Sequence, residues 1–327
     1  MHTENSLNIL VLLSPEEKIQ KLLLEPEKVD ICYVYNQHPQ NIISRCIKRV
    51  KLLMPFDSLA YSEEFLHKDL SKYDIIILDE TIYPNRIIRN IRRRNKNCKL
   101  IYWMWNTVDY SNSKLRLYNR WKIWKELLTM RNYYNFTISS FDKGDCEKYN
   151  ITYNNQVAPY FNDLTISNKL EKTIFFFGLD KGRLPYIKEL YNEFTKYGYF
   201  CDFNVVPDAR KKYNLSSFGA VTKQSFQPYK EIIKCEAPVK ALLEILQNGQ
   251  EGITWRALEA LFYKKKLITN YKEIKQYDFY NPNNIFILGV DDIERFKVFM
   301  STKFEDVPKE YVNKYTFRGW LSNMMKK

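Results

Sequence analysis

Glycine and histidine are scarce in this chain, which has 9 Gly and 3 His among 327 residues. With only His2, His38 and His67 available, a histidine-based metal site is not expected. Neither a Walker A loop nor a GxGxxG fingerprint occurs among the few glycines. These absences weigh against an ATPase, a dinucleotide-dependent dehydrogenase and a histidine-ligated metalloenzyme.

Paired cysteines and long apolar runs are also missing. The six cysteines form no CxxC pair, and several lie in apolar sequence, which is typical of free buried thiols in a reducing compartment. No window approaches the ~20 apolar residues that a transmembrane helix needs. The apolar run near the amino terminus is too short for a signal peptide and lacks a basic region before it. We therefore expect a cytoplasmic protein, either free or peripheral on the inner face of a membrane.

Acidic residues are in the minority, because 51 Lys and Arg oppose 38 Asp and Glu and give a net charge of +13. Nucleic acid, an anionic membrane surface and a phosphate-rich small molecule are the three classes of partner that this charge suits. The densest basic cluster, residues 86–96, predicts a helix with a basic face, which fits membrane docking or a plain solvated surface. No zinc-finger spacing, ribonucleoprotein signature or basic-zipper pattern occurs, so we expect no nucleic-acid partner.

Short apolar runs alternate with amphipathic segments along the whole chain. The runs predict strands at 7–13, 29–35, 74–78, 99–105, 136–139, 156–161, 173–177, 200–206, 267–269 and 285–288. Helices are predicted at 41–53, 86–94, 114–129, 140–150, 186–197, 229–233, 239–246, 254–266 and 308–327. Continuous apolar strands between helices are typical of a parallel sheet that is covered on both faces.

The length suits about two domains of ~150 residues each. A polar stretch at 162–172 is the predicted linker between two parallel-sheet domains that enclose a cleft. Ligands of open parallel sheets bind at the carboxyl ends of the strands. The loops that should face the cleft are therefore 79–80, 106–109, 178–183 and 248–254.

The loop Gly178-Leu-Asp-Lys-Gly-Arg183 directly follows a predicted strand. Its glycines let the backbone approach a ligand closely, and Lys181 and Arg183 can neutralise a diphosphate. The same sequence is compatible with an ordinary strand-to-helix turn in a basic protein.

The loop at 248–254 precedes a helix for which Thr254 is the predicted N-cap. Backbone N–H groups ahead of a helix N-terminus form a natural seat for phosphate. Glu259 lies about one and a half turns into that helix, where its carboxylate can accept hydrogen bonds from ribose hydroxyls. The alternative is a surface turn that leads into an amphipathic helix, with Glu259 solvated. Lys264, Lys265 and Lys266 are expected in the last turn of this helix, where cations favour the negative end.

Several segments in combination suggest a family. They are Phe176-Phe-Gly-Leu-Asp-Lys-Gly-Arg183, Gly249-Gln-Glu-Gly-Ile-Thr-Trp-Arg-Ala-Leu-Glu-Ala-Leu261, Lys266-Leu-Ile-Thr-Asn270 and Tyr277-Asp-Phe-Tyr-Asn-Pro282, with a further likeness at 139–150. Together they resemble bacterial lipopolysaccharide or capsular polysaccharide biosynthesis proteins of the GT-B glycosyltransferase type. The resemblance covers the second part of the chain well and the first part poorly.

That resemblance implies an α/β fold of the GT-B type, with two Rossmann-like domains that face a cleft. Residues 1–165 would bind the acceptor, residues 166–305 the nucleotide-sugar donor, and a helix at 306–327 would cross back onto the first domain. The implied function is metal-independent sugar transfer to a growing bacterial surface glycan, with a glycan or lipid-linked glycan as acceptor. No cofactor or metal is implied, in agreement with the missing DxD motif and the few histidines.

The resemblance also assigns donor-binding residues. Its cationic cradle, in place of Mg²⁺, would stabilise the charge that develops on the departing diphosphate, and Glu259 would bind the ribose. The donor-binding residues so implied are Gly178, Lys181, Gly182, Arg183, Gln250, Gly252, Ile253, Thr254, Arg256 and Glu259. Glu251 and Glu259 match the Glu-x7-Glu spacing of many retaining enzymes, but Gly252 departs from the usual pattern, so retention and inversion both stay open.

The catalytic base of an inverting enzyme would be a carboxylate or imidazole in the first domain. Asp79, Glu80, Asp109 and His38 are candidates because each follows a predicted strand, although loop capping or solvated charge also explains each of them. Trp103 and Trp105 suit a sugar-stacking wall or an aromatic core.

Two other functions stay open on the sequence alone. One is a non-catalytic sugar-nucleotide or glycan-binding protein of the same fold, although the presence of Lys181, Arg183 and Glu259 favours an enzyme. The other is a basic membrane- or nucleic-acid-binding module.

Overall fold

The computed structural model describes residues 7–14, 18–36, 61–81, 84–108, 120–161, 169–208, 211–247 and 252–327. The chain forms two compact units, Met1–Asn155 and Gln156–Lys327. Each unit contains a parallel sheet with helices between its strands, which confirms the predicted α/β class with two parallel-sheet domains. The roles predicted for the domains and the crossing of the last helix stay predictions.

The described strands of the first unit are β1 Ile9–Leu13, β2 Asp30–Tyr33, β3 Ile75–Asp79, β4 Lys99–Trp103, β5 Phe136–Ser140 and β6 Thr152–Tyr153. Its described helices are α1 Lys18–Leu24, α2 Glu63–His67, α3 Pro84–Arg94, α4 Arg120–Tyr134 and α5 Lys143–Tyr149. The strands pair in the order β2-β1-β3-β4-β5-β6, and each described pair is parallel. The order reverses between β1 and β3, which places the switch point of this sheet there.

The arginine-rich helix α3 is tied into the first unit by its own cations. Arg92 is buried and donates hydrogen bonds to the backbone carbonyls of Cys98, Tyr134 and Asn135 at 2.8, 2.6 and 2.6 Å. Arg94 donates to carbonyls of α2 and of the residue that caps it. The predicted basic face is therefore wrong in part, because these two arginines stabilise the interior rather than forming a solvated or membrane-facing row.

The described strands of the second unit are β7 Leu170–Leu179, β8 Phe200–Val206, β9 Thr222–Lys223, β10 Val239–Glu244, β11 Lys266–Thr269 and β12 Ile285–Ile287. Its described helices are α6 Leu184–Lys196, α7 Tyr229–Glu236, α8 Trp255–Phe262, α9 Phe296–Ser301, α10 Lys309–Asn313 and α11 Phe317–Lys326. Short 3₁₀ turns are at Leu215–Ser217, Lys272–Gln276 and Ile293–Arg295. The parallel strands pair in the order β12-β11-β10-β7-β8-β9, so the switch point lies between β7 and β10.

Both faces of the second sheet are covered, which explains why its strands are continuously apolar. Phe175 and Leu242 point into the cluster that includes α8, whereas Phe176 and Leu243 point into the cluster that includes α6 and α9. Alternation along each strand therefore supplies two cores from one sheet.

Residues 239–246 were predicted as a helix, and this prediction is wrong. Val239–Glu244 is the strand β10, which pairs with β7 on one side and β11 on the other. Lys, Ala, Leu and Glu all favour helices in isolation, but position in the middle of a sheet outweighs that preference.

The predicted strand at 156–161 is also wrong, since the edge strand is β6 and the chain has no regular structure at 154–161. Pro159 has no N–H to donate to a strand ladder. The tail is two helices rather than one, because the Thr316 side chain accepts a hydrogen bond from the Gly319 N–H at 3.2 Å and begins a new helix. The predicted helix at 41–53 lies outside the described residues.

The helix predicted at 254–266 ends at Phe262, and Lys264 has a left-handed φ of 51°. Lys265 and Lys266 are consequently not in a last helical turn, which corrects that expectation. Lys265 donates to the Ala237 carbonyl at 2.6 Å, and the Lys266 ammonium donates to the backbone and side chain beyond α9. Burial lowers the pKa of each ammonium to about 8.

Lys265→Met should remove a pH-dependent contribution to stability. The unfolded chain keeps the lysine proton to about pH 10.5, whereas the folded chain releases it above about pH 8. Deprotonation of the folded form therefore stabilises it as the pH rises through this window. We expect the unfolding free energy of wild type to rise relative to Lys265→Met by up to about 1.4 kcal/mol per pH unit there.

Urea denaturation of both proteins at several pH values between 7 and 10 measures this difference. Lys264→Met is the matched control, because Lys264 is exposed and its removal should give a difference that does not vary in this way. If the difference in unfolding free energy between wild type and Lys265→Met does not change with pH in this range, the buried-ammonium interpretation is contradicted.

Candidate functional site

The carboxyl ends of β7 and β10 separate at the switch point of the second unit. The paired residues of these strands end at Phe175 and Leu242, whereas β7 continues alongside β8 as far as Leu179. The last carbonyls of β7 therefore face an opening rather than a neighbouring strand. Two arginines, described next, fill it.

Arg183 bridges this opening. Its guanidinium donates to the carbonyl of Leu179, the last residue of β7, and to that of Ile245, the residue after β10. Its Nε donates to the Asp180 carbonyl at 3.2 Å. The guanidinium also lies over the Phe176 ring at 5.6 Å, and burial lowers its pKa. Arg183 is thus a clamp of the switch point, and its predicted contact with a diphosphate stays a prediction.

Gly178 makes room for that clamp. A Cβ at this position would lie 3.3 Å from a terminal nitrogen of Arg183 and 3.4 Å from the Phe176 ring. Lys181 and Gly182 are exposed beyond it, with left-handed φ values of 45° and 84°. The predicted donor loop is consequently a tight turn with its lysine and second glycine at the surface.

Asp180 fixes the turn from inside, a role that the sequence analysis missed. Its carboxylate accepts hydrogen bonds from the Leu184 amide at 2.7 Å, the Tyr213 hydroxyl at 2.6 Å and the Lys211 ammonium at 3.3 Å. Burial raises the pKa of the Asp180 carboxyl, but these donors outweigh it and hold the pKa below its usual range. The sequence feature that could have indicated this role is an acidic residue four positions before Leu184, where a helix begins with Leu-Pro.

The N-terminus of α8 is held by a chain of hydroxyl groups. Thr254 is its N-cap, as predicted. Its hydroxyl accepts a hydrogen bond from the Arg256 amide at 3.1 Å and donates one to the Glu244 carboxylate. Gly252 has a φ of 90° and donates from its amide to the Tyr271 hydroxyl at 3.2 Å. Ile253, between them, packs in the core, and Gln250 lies outside the described residues.

Glu244 is a buried carboxylate that the sequence analysis also missed. It lies at the end of β10 and accepts from the hydroxyls of Thr254 and Thr269, the second at 2.6 Å. Burial raises the pKa of the Glu244 carboxyl, and the two hydroxyl groups oppose that rise. Because the segment was predicted as a helix, the position of Glu244 at a strand end was not visible.

Glu259 is the centre of a buried polar cluster. One carboxylate oxygen accepts from the Tyr229 hydroxyl at 2.7 Å, and the other lies 3.0 Å from the Arg256 guanidinium. Arg256 also forms an ion pair with Glu236 and donates to the Phe177 carbonyl at 3.1 Å. The solvated-glutamate alternative is therefore wrong, since Glu259 is 2% exposed. Its ribose contact and the diphosphate contact of Arg256 stay predictions.

In the first unit, Asp79 and Glu80 lie at the end of β3, beside the switch point of that sheet. Asp79 is buried and accepts from the indole N–H of Trp105, and Glu80 accepts from the backbone amides of Trp105 and Asn106 at 2.9 and 3.0 Å. Trp103 is buried, with its ring centroid 4.3 Å from that of Trp105. Both carboxylates thus hold the loop after β4.

The other two candidates for the base, His38 and Asp109, lie outside the described residues. Among the residues that the structure describes, no group of three or more His, Cys, Asp or Glu side chains is placed to hold a metal ion. The described helices also include none long and apolar enough to cross a membrane.

No protein-family model matches this chain, and no curated protein matches its sequence. Its structure is similar to that of an alpha-glucosyltransferase in complex with UDP and a 13-mer DNA containing an HMU base. The TM-score is 0.59 at 10% identity, over 98% of this chain and 99% of that one.

Two further solved structures are similar at lower scores. The UDP-N-acetylglucosamine 2-epimerase from Rickettsia bellii has a TM-score of 0.45 at 10% identity, over 98% of this chain and 95% of that one. The glycosyltransferase SnogD from Streptomyces nogalater has a TM-score of 0.43 at 11% identity, over 98% and 96%. Together with the two parallel sheets, the full-length likeness to the glucosyltransferase establishes a GT-B fold, as the family resemblance implied.

Arg183→Ala should destabilise the second unit by about 1–3 kcal/mol, because the part-buried carbonyl of Ile245 loses its charged donor, whereas water can replace the donor at the exposed carbonyl of Leu179. Lys181→Ala, at an exposed position of the same turn, should change stability by no more than about 0.5 kcal/mol. Urea unfolding followed by circular dichroism measures both. Equal small effects would show that the clamp contributes little.

Proposed function

We propose that this protein is a glycosyltransferase that moves a sugar from a nucleotide-sugar donor to an acceptor hydroxyl without a metal ion. The observation that carries the proposal is the switch point of the second unit. There, two turns and the buried Glu259 cluster gather at the carboxyl ends of β7 and β10 in a chain of GT-B fold. Open parallel sheets bind their ligands at this position.

The donor diphosphate would bind between the turn at Lys181 and the N-terminus of α8. Gly252 and Thr254 orient that N-terminus, whose backbone N–H groups and dipole favour an anion. When the bond between the sugar and the diphosphate breaks, negative charge accumulates on the leaving oxygen. Fixed cations and amides at this point stabilise that charge, which is the role that a metal ion has in other transferases. The UDP bound to the similar glucosyltransferase supports a nucleotide donor.

An exposed aromatic residue offers a platform for the nucleobase. Phe226 comes after the carboxyl end of β9, the outer strand two places from β7, and is 76% exposed. Tyr229, three residues later, begins α7 and contacts Glu259. A base stacked near Phe226 would bring the attached ribose toward that carboxylate.

The acceptor would bind the first unit. Of the two described candidates for the base, Glu80 suits proton removal from a hydroxyl better, because it is half-buried whereas Asp79 is 1% exposed. His38 and Asp109 remain candidates. The resemblance of segments such as 176–183 and 249–261 to bacterial polysaccharide enzymes supports a lipopolysaccharide or capsule precursor as the acceptor. A lipid-linked acceptor would place transfer at the inner face of the membrane.

A second class of acceptor, a base in DNA, is favoured by two observations. The similar glucosyltransferase holds DNA as well as UDP, and this chain carries a net charge of +13. Electrostatic attraction to phosphates would supply affinity for DNA without a recognised sequence motif.

Binding of a nucleotide-sugar should raise the melting temperature of the second unit. At a concentration 100 times the Kd the native state gains about 2.7 kcal/mol, equivalent to about 5–10 °C for a unit of this size. A thermal-shift screen of UDP-, GDP-, CDP- and dTDP-sugars measures the effect. Glu259→Ala should abolish the shift, and Lys264→Ala, which is exposed and lies ahead of β11, should retain it. If none of these nucleotide-sugars raises the melting temperature and none is hydrolysed, the proposed function is overturned.

The two acceptor classes differ in a transfer assay with radiolabelled donor. We expect label in a lipid-linked glycan extracted from bacterial membranes and none in duplex DNA. Label in DNA, with binding that weakens steeply as salt rises, would instead assign the second class. Substituting Glu259 or Arg183 by Ala should abolish turnover with either acceptor, and full activity of both variants would exclude this site.

A further inference from the structure

The Glu259 cluster contains one more carboxylate than it has guanidinium groups. Arg256 lies between Glu259, three residues later in α8, and Glu236, the last residue of α7. Glu236 is 0% exposed and Glu259 is 2% exposed. The Tyr229 hydroxyl is the other described partner of Glu259.

Such a cluster is not what stability alone would favour. Removing a carboxylate from water is costly, and a single guanidinium compensates only one full charge. A pair, or apolar residues of similar size, would stabilise this position at least as well. Local features that oppose stability in this way are found preferentially at functional sites.

The negative charge that Arg256 does not compensate determines which kind of ligand the cluster can bind. An excess of carboxylate attracts groups that donate hydrogen bonds and repels phosphate. Glu259 can accept further hydrogen bonds, since each carboxylate oxygen has two lone pairs. Arg256 is already engaged by Glu236, Glu259 and the Phe177 carbonyl. The cluster therefore suits the hydroxyl groups of a ribose and not a diphosphate.

Building on the proposed function, we propose that Glu236 and Arg256 are positioning residues that set the recognition of the donor ribose. Glu236 draws the Arg256 guanidinium toward α7, and Arg256 in turn fixes the orientation of the Glu259 carboxylate. Glu259 thereby keeps part of its charge available for ribose hydroxyls. The affinity difference between a ribonucleotide and its 2′-deoxy analogue depends on this three-residue arrangement.

The test is Glu236→Gln, which keeps the shape of the side chain and removes its charge. Arg256 then pairs fully with Glu259, whose capacity to accept from ribose falls. Isothermal titration with UDP, GDP, CDP and ADP and with the 2′-deoxy form of each measures the affinities. We expect the nucleotide that binds wild type to lose about tenfold or more in affinity, with the ribose-to-deoxyribose ratio falling toward one.

Stability separates this role from a merely structural one. Because Glu236→Gln removes an excess buried charge, the melting temperature should stay the same or rise while affinity falls. Glu236→Asp keeps the charge and should retain most of the discrimination. Glu231→Gln, the same change at an exposed position of α7, is the matched control and should leave affinity, discrimination and melting temperature unchanged.

The experiments distinguish a failure of this inference from a failure of the proposed function. If no nucleoside diphosphate binds wild type, the proposed function fails and the inference fails with it. The inference alone is overturned if wild type and Glu236→Gln both distinguish the ribonucleotide from its 2′-deoxy analogue while Glu259→Gln does not. It is also overturned if Glu236→Gln lowers affinity only in step with a lower melting temperature. If Glu236→Gln does not fold, Arg256→Lys decides, since it should fold and lose discrimination, and discrimination equal to wild type would overturn the inference.

Discussion

The opening between β7 and β10 is the constraint on which the second unit depends. Strands at a switch point separate, and the carbonyls along the opening need donors once water is excluded. Arg183 and Arg256 supply them from opposite sides, one from the start of α6 and one from α8. The separation of the two strands is therefore filled by side chains that the proposed donor would approach.

Each of these arginines donates to the backbone and is also predicted to contact the donor phosphates. A guanidinium that donates to backbone carbonyls is fixed in position, which suits a pre-organised site. It has fewer N–H groups left for a phosphate, so the surface cation of the turn, Lys181, and the amides of α8 would matter more in the proposed donor site. The buried carboxylates Glu244 and Glu236 have a similar role near the N-terminus of α8. Glu244 accepts a hydrogen bond from Thr254, and Glu236 forms an ion pair with Arg256.

Much of the architecture was predictable from the sequence because its strands are continuous apolar runs bounded by turn residues, as at 7–13 and 173–177. The α/β class, the two sheets and the N-cap at Thr254 follow from such local patterns. Val239–Glu244 was not predictable in this way, because its residues favour a helix and only its neighbours in the sheet make it a strand. The surroundings of Glu259 could be foreseen only in part, because Arg256 is three residues earlier in the same helix. Tyr229, which donates to Glu259, and Glu236, which pairs with Arg256, come from another helix to which no local spacing relates them.

The strand order of the second unit also has a kinetic consequence. Leu242 of β10 pairs with Phe175 of β7, although β8, β9 and two helices lie between them in the chain. Closing so long a loop is entropically costly, and contacts distant in sequence slow folding. The joint between β7 and β10 is thus expected to be among the last parts of the unit to assemble. Until it closes, the apolar edges of β7 and β10 are expected to be open to other chains, so that folding would compete with aggregation at this joint.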